Sequence, residues 1–285
     1  MKLGLAAILF AACSFPTPSE QYACRTNDDC ETGRVCTLGY CVVGNGGDGS
    51  VPAIDAPDID SGPDCSSFTS RHFDACMIPA PSGDLDLTSG IYTLDTTAAS
   101  LTPPGGAAVA LPNRVTASGL VVSVGRLHVA AGATLRVVGA NALIVASWSR
   151  IEIEGTIDAS SGGTPTTKGA GANPTACATH AAVAGGNNSG GAGGGGGGGD
   201  QGAGGRGGNG DVGAGGNGGT AIPAPLLAGG CGGAAGGTGS SAGGAGGDGG
   251  GAVQLTARMG TTIAGTARIH AGGAGGKPGV QNSDG

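Results

Sequence analysis

The sequence predicts an all-β chain. It is read as a short parallel β-solenoid, right-handed β-helix-like, with a long glycine-rich excursion and a small disulfide-stapled module before it. Three observations predict this. Apolar pairs recur every eight residues at Leu127/Val129, Leu135/Val137, Leu143/Val145 and Ile151/Ile153. A strand cassette occurs twice, at 143–159 and at 253–271, around a stretch of glycine. Apart from Cys13, the cysteines stand in short local groups or towards the two ends of that stretch.

Each pair has a spacing of two, so both side chains fall on one face of a strand. Gly132, Gly139 and Gly155 lie in or near the gaps. The spacing predicts strands of three to four residues and turns of the same length. A sandwich strand usually has about five or six residues. Short strands at constant spacing fit a coil of three strands and about 24 residues, whose apolar side chains are buried only when coils stack. Aligning the two cassettes sets Val145 on Leu255, Ile153 on Ile263, Gly155 on Gly265 and Thr156 on Thr266. A two-residue insertion then brings Ile157 to Ile269 and Ala159 to Ala271. The expected solenoid therefore has a cap at 65–114, one cassette at 115–159, and a second with its tail at 252–285. Within 84–97, alternation turns Leu85, Leu87, Tyr92 and Leu94 inward and leaves Asp84 and Asp86 on the outer face.

The excursion spans 160–251. The chain has 65 glycines in 285 residues, with aromatics at 3% and charged residues at 12%, which excludes an ordinary globular domain. Part of the excursion follows a three-residue rhythm, as in Ala203-Gly-Gly-Arg206-Gly-Gly-Asn209. Collagen has one glycine per triplet and more proline. Two glycines per triplet suit extended helices of three residues per turn, bundled side by side through backbone hydrogen bonds. The competing expectation is a flexible coil. Cys177 and Cys231 would close a loop across the excursion, a constraint a disordered spacer has little use for.

Upstream, Cys24, Cys30, Cys36 and Cys41 fall in residues 14–43, in a segment with no core of its own. Two local disulfides are expected there, in a pairing the spacing leaves open. Zinc is the rival, but spacings of five, five and four lack the CxxC pairs of such sites. Cys65 and Cys76 are expected to pair. Residues 44–64, rich in Gly, Pro and Asp, read as a linker; no loop spacing among the aspartates suits calcium.

At the start, Lys2 precedes an apolar run from Leu3 to Ala12, the shape of a secretory signal and too short to span a membrane. Ala11-Ala12-Cys13 resembles the lipobox of bacterial lipoproteins, although Phe10 departs from its usual leucine. The resemblance implies cleavage of 1–12, lipid on Cys13 and, since Ser14 is not Asp, sorting to the outer membrane. An ordinary cleavable signal with an unmodified Cys13 is the alternative.

The net charge of −7 argues against nucleic acid. Motifs that imitate chemistry fail on context. Gly239-Ser240-Ser241-Ala242-Gly243 matches GxSxG but lies in glycine and alanine instead of between a strand and a helix. Gly275-Gly276-Lys277-Pro278 ends like a P-loop, with proline where a hydroxyl is needed. Gly207-Gly208-Asn209-Gly210-Asp211 sets its aspartate one place early for a calcium nonapeptide. His72, His128, His180 and His270 are not spaced as metal ligands, and Asp158 is a lone carboxylate. The sequence calls for no catalytic residue, metal or cofactor.

The order of parts — signal, Cys-x5-Cys-x5-Cys-x4-Cys module, Asp/Pro linker, and cassettes ending GTIDASSGG or ARIHAGGAGG around poly-glycine — resembles glycine-rich surface lipoproteins of the myxobacterial type. The resemblance implies a lipid-anchored protein of the outer-membrane cell surface and supplies no catalytic residues. The expected function is structural or adhesive, towards a cell-surface or extracellular-matrix partner. The alternatives are a β-helix enzyme acting on polysaccharide and, more remotely, an ice-binding or matrix protein.

Overall fold

A computed structural model describes residues 24–30, 32, 34–37, 40–43, 65, 68–162, 167–223 and 227–280. Cys13 and the linker lie outside the described residues. The chain divides into two units, Met1–Asp60 and Ser61–Gly285.

In the first unit, β1 (Arg34–Thr37) and β2 (Tyr40–Val43) form an antiparallel hairpin that sets Cys36 opposite Cys41. Two disulfides, Cys24–Cys36 and Cys30–Cys41, tie the hairpin to a single turn of 3₁₀ helix at Asn27–Asp29. That turn is fixed by side chains. The Asn27 amide oxygen accepts from the Cys36 N–H at 2.8 Å, and the Asp29 carboxylate accepts from the Arg25 and Thr26 N–H groups at 2.7 and 2.8 Å. Those backbone donors hold the Asp29 carboxyl below its usual range.

The second unit is strand and loop, with almost no helix. Its strands enter three sheets in rotation. After β3 (Leu85–Leu87) and β4 (Gly90–Asp95), the chain makes a detour through β5 (Ser100–Thr102), β6 (Val109–Ala110) and β7 (Asn113–Thr116). The rotation then runs β8 (Gly119–Val124), β9 (Leu127–Val129), β10 (Ala133–Val138), β11 (Leu143–Ser147), β12 (Ile151–Ile153) and β13 (Thr156–Asp158). It ends with β14 (Val253–Ala257), β15 (Thr261–Ile263) and β16 (Arg268–His270). The sheet orders are β14-β11-β8-β7, β15-β12-β9-β3 and β16-β13-β10-β4-β5-β6. All pairings within the rotation are parallel, while β5, β6 and β7 pair antiparallel.

The four apolar pairs seen in the sequence lie on β9 to β12, and all eight side chains are buried, at 0–3% exposure. They form one core with Leu87, Leu94, Leu120 and Ile157. Five strands of the rotation are longer than expected: β4, β8 and β10 have six residues, and β11 and β14 have five. The reason for β8 and β11 is a second apolar face. Val121, Ile144 and Ala146 point away from the main core and are covered by Phe68, Ala75 and Ile78, from the segment closed by Cys65–Cys76. Phe68 meets Trp148 edge-on, with ring centroids 4.9 Å apart.

The register between the cassettes corrects one alignment. Val145 faces Leu255, Ile153 faces Ile263 and Ile157 faces Ile269, but Thr156 faces Arg268, not Thr266. The two extra residues are taken up in the turn before β16, where a length change leaves inward positions in phase.

Thr96 closes the turn after β4. It is fully buried; its hydroxyl donates towards the carbonyl oxygens of Asn141 (2.7 Å) and Val138 (3.0 Å), and its carbonyl accepts from the Asn141 side-chain amide. Thr96→Val keeps the shape and strands buried acceptors. The expected cost is about 1–3 kcal/mol, read as a lowered urea midpoint with unchanged slope.

The glycine-rich excursion is ordered as a bundle. Its segments, about 182–188, 191–199, 203–210, 213–220, 229–238 and 242–251, carry no α-helix or β-strand. Their N–H groups donate across segments at every third residue. Gly204, Gly207 and Gly210 donate to Gly219, Gly216 and Gly213, an antiparallel pair; Gly213, Gly216 and Gly219 donate to Gly191, Gly194 and Gly197, a parallel pair. No glycine from 192 to 219 has positive φ. A three-residue period, negative φ and bonding only between segments describe polyproline-II geometry. Segment 191–199 is the hub and bonds to four neighbours, through Gly196 to Val183, Gly197 to Gly205, Gly216 to Gly194 and Ala234 to Gly196.

Candidate functional site

Two surfaces of the second unit gather the polar groups that could carry function. The first is a row of charged side chains on the outer face of the β15-β12-β9-β3 sheet. Parallel register places Asp86, His128 and Glu152 side by side on β3, β9 and β12, each between two inward apolar residues. Arg126, just before β9, reaches across the row. Its Nη2 lies 2.7 Å from Asp86, its Nη1 3.6 Å from Glu152 and its Nε 3.6 Å from Asp84. His128 Nδ1 is 3.5 Å from Asp86, and Arg150 is 3.7 Å from Glu152. The Arg126 side chain is one-third exposed, but its Nε is buried and makes no hydrogen bond. Three carboxylates thus share one guanidinium. Such half-exposed pairs contribute little to stability; their effect is to neutralise a face that would otherwise repel itself.

A second row stands on the neighbouring sheet, where Arg136, Asp158 and His270 are in register on β10, β13 and β16. Arg136 Nη1 lies 3.1 Å from Asp158. Burial pushes the Asp158 carboxyl up, but hydrogen bonds from the Ser160 hydroxyl and N–H, with Arg136 and His270 nearby, outweigh it and hold the group below its ordinary 3.8. The sign follows: a depressed folded pKa gives stability that is present above the unfolded value and lost as pH falls through the folded one. The expected result is that Asp158→Asn lowers stability at pH 6, and that the gap between variant and parent closes as pH drops from about 4. Thermal unfolding from pH 6 to pH 2.5 checks this.

The second surface is the bundle, built onto the strand region by backbone bonds. Gly251 donates to Ala159, Ala252 to Ala170, Ala170 to Val137, Gly171 to Gly139 and Ser161 to Gly272. The Ser161 hydroxyl, buried, accepts from the Gly169 N–H and bonds to the Gly249 carbonyl. Asn173 binds Asp248 at 2.7 Å and accepts from the Gly249 N–H, while Lys168 lies 3.4 Å from Asp248. Asparagines take the role that caps play in helices. Asn187 accepts from the Thr238 N–H and Asn209 from the Gly215 N–H. Cys177 and Cys231 are joined.

The remaining sequence motifs fall at turns or in the bundle. Ser240 and Ser241 sit in the bend after 229–238, where the Gly239 N–H donates to the Ser241 carbonyl. Lys277 is in an extended segment and donates from its N–H to Ala245, so no phosphate loop forms there. Asp211 is exposed at the turn between Gly210 and Gly213. His72 contacts Gln254 at 2.5 Å and His180 contacts Thr220 at 2.7 Å. His128 is half-buried beside Asp86. Arg126 and Glu152 were not singled out in the sequence. The signal was present, since each lies beside or between inward apolar positions. Using it required knowing that β3 pairs with β9 across the 42 positions from Leu85 to Leu127. Among the described residues, Cys24, Cys30 and Cys41 bring sulfur atoms within 4.8 Å of one another, a consequence of two adjacent disulfides.

Compared with known proteins, the chain matches no family model, no curated protein and no solved structure.

Proposed function

We propose that this chain is a non-catalytic, lipid-anchored protein of the outer-membrane cell surface with a structural or adhesive role, and that its strand region is a short parallel β-solenoid. The observation that carries the reading is the backbone bonding that makes one body of the strands and the glycine bundle, from Gly171–Gly139 to Gly251–Ala159. A spacer needs no such fastening, whereas a body that bears load or presents a fixed surface does. The strand rotation with offsets of 24 residues between Leu127 and Ile151 and 23 between Leu120 and Leu143 supports the solenoid. The disulfides of both units favour an oxidising compartment.

The test is metabolic labelling with a clickable fatty acid in cells expressing the parent or Cys13→Ser, followed by protease shaving of intact cells. Label lost in the variant and protein shaved from the parent are expected, with cell attachment reduced in a deletion strain. Unlabelled protein in the medium, or attachment unchanged by deletion, would sink the reading.

One observation favours a second reading, activity on polysaccharide. Asp86, His128 and Glu152 form a row of polar side chains on one outer face. Against it, both carboxylates are engaged by Arg126. Release of reducing ends from a polysaccharide panel by the parent, abolished in Asp86→Asn and Glu152→Gln, would replace the first proposal with this one.

A further inference from the structure

Residues 68–78, tied by the Cys65–Cys76 disulfide, lie as a strap on the outer face of the β14-β11-β8-β7 sheet and touch every strand of it. On β7, Arg114 Nη1 donates to the Met77 carbonyl at 2.5 Å. On β8 and β11, Phe68, Ala75 and Ile78 cover Val121, Ile144 and Ala146. On β14, the Gln254 side-chain amide donates to the Arg71 carbonyl at 2.7 Å, and its oxygen meets His72 Nδ1.

The strap is separable from the main core. Successive strand residues face opposite sides, so Leu143 and Val145 serve the main core while Ile144 and Ala146 serve the strap. No residue is shared between the two clusters, and the strap can lift without unpacking the core. His72 is held at a φ of 72°, in the left-handed region uncommon for a residue other than glycine, and a free strap relaxes from it.

We infer that the strap is a redox latch: the Cys65–Cys76 bond keeps it shut, and a dithiol reductant opens it. Access selects this bond. Among the described cysteines Cys76 alone is exposed, while Cys24, Cys41 and Cys231 are buried. One thiolate of the reductant attacks the Cys76 sulfur, the S–S bond breaks, and Cys65 leaves as a thiolate that takes up a proton. The second thiol of the reductant then displaces Cys76, so both cysteines end as thiols and the reductant as its own disulfide. On the chain-entropy account, opening a loop closed over 11 positions shifts the ratio of docked to lifted strap about a hundredfold towards lifted. Lifting bares Val121, Ile144 and Ala146 together. It also admits water to Trp148, whose ring meets Phe68 and whose Nε1–H donates to the Ser123 hydroxyl at 2.9 Å. The seal on this face is thus conditional on oxidising surroundings, whatever the anchor at Cys13.

Trp148 is the one tryptophan of the chain and reads the latch. The experiment is a dithiothreitol titration of the full chain carrying Cys13→Ser, which leaves only paired cysteines. Free thiols are alkylated and mapped by mass, alongside the wavelength of Trp148 emission and amide exchange. Cys65 and Cys76 are expected to be alkylated first, while the other three pairs are intact. At that point the emission moves to longer wavelength and exchange at 68–78 rises about a hundredfold, with β9 to β13 still protected. Oxidised glutathione is expected to restore the starting emission. The double variant Cys65→Ser, Cys76→Ser is expected to show the shifted emission without reductant and no further shift with it. Reduction of Cys65–Cys76 that leaves Trp148 emission and strap exchange unchanged would overturn the inference, since packing alone would then hold the strap. So would earlier reduction of another pair, or a rise in strap exchange matched by β9 to β13.

Discussion

Gly196→Ala is expected to dismantle the glycine bundle, at a cost of about 3 kcal/mol or more, the upper end of what overpacking produces. Gly196 belongs to the hub segment. Its N–H donates to Val183 at 3.0 Å, its carbonyl accepts from Ala234 at 2.9 Å, and a methyl group added to it would collide with the Asn217 carbonyl of a third segment. The obstruction is backbone on every side, so no rotamer change relieves it; the segments must separate, and the three-residue ladder goes with them. Gly205 supplies the control. It lies in the next segment and has negative φ, and a methyl group there meets nothing within 4 Å. Gly205→Ala is expected to be neutral or to stabilise by about 0.4–1 kcal/mol, because it narrows the unfolded ensemble. Thermal unfolding of the pair, with amide exchange over 182–251, separates the two cases. Equal loss in both variants would mean that the bundle does not depend on backbone contact.

Replacing Cys177 and Cys231 together with alanine is expected to lower stability by about 4 kcal/mol on the chain-entropy account of loop closure. The cysteines are 54 residues apart, and the loop they close contains four of the six bundle segments between the cassettes. The loss is expected to be local. Amides at 183–219 should exchange faster, while those of β9 to β13, buried in a core the disulfide does not touch, keep their protection. Uniform acceleration across both regions would show that strands and bundle unfold as one cooperative unit, and the predicted order of loss would be wrong.

The parts legible in the sequence were those with a strict period. Leu127/Val129 to Ile151/Ile153 announced their strands because the spacing of two within a pair and eight between pairs has no helical equivalent. The triplet rhythm at 203–220 suited extended segments packed through their glycine-bearing faces but left a flexible coil open, and it is the backbone bonds between segments that decide for the bundle. What stayed hidden lies across insertions. The detour through β5, β6 and β7 separates Leu85/Leu87 from their partners on β9, so the Asp86–His128–Glu152 row could not be assembled from local pattern. Val121 and Ile144 looked like ordinary strand residues because nothing in their own segments shows that Phe68 and Ile78 cover the outer face. The pairing of Cys24 with Cys36 and Cys30 with Cys41 needed the hairpin register, which no spacing supplies.

The register of the last strands has a consequence for how the chain reaches this structure. Leu143 pairs with Val253 and Ile151 with Thr261, each 110 positions along the chain. Contacts so remote cannot be gained until the intervening residues are compact, because the entropy of closing the loop must be spent first. β14 to β16 are therefore the latest elements to dock. The bundle is their prerequisite: a failure to assemble glycine against glycine would be felt first as the absence of a strand that contains almost none.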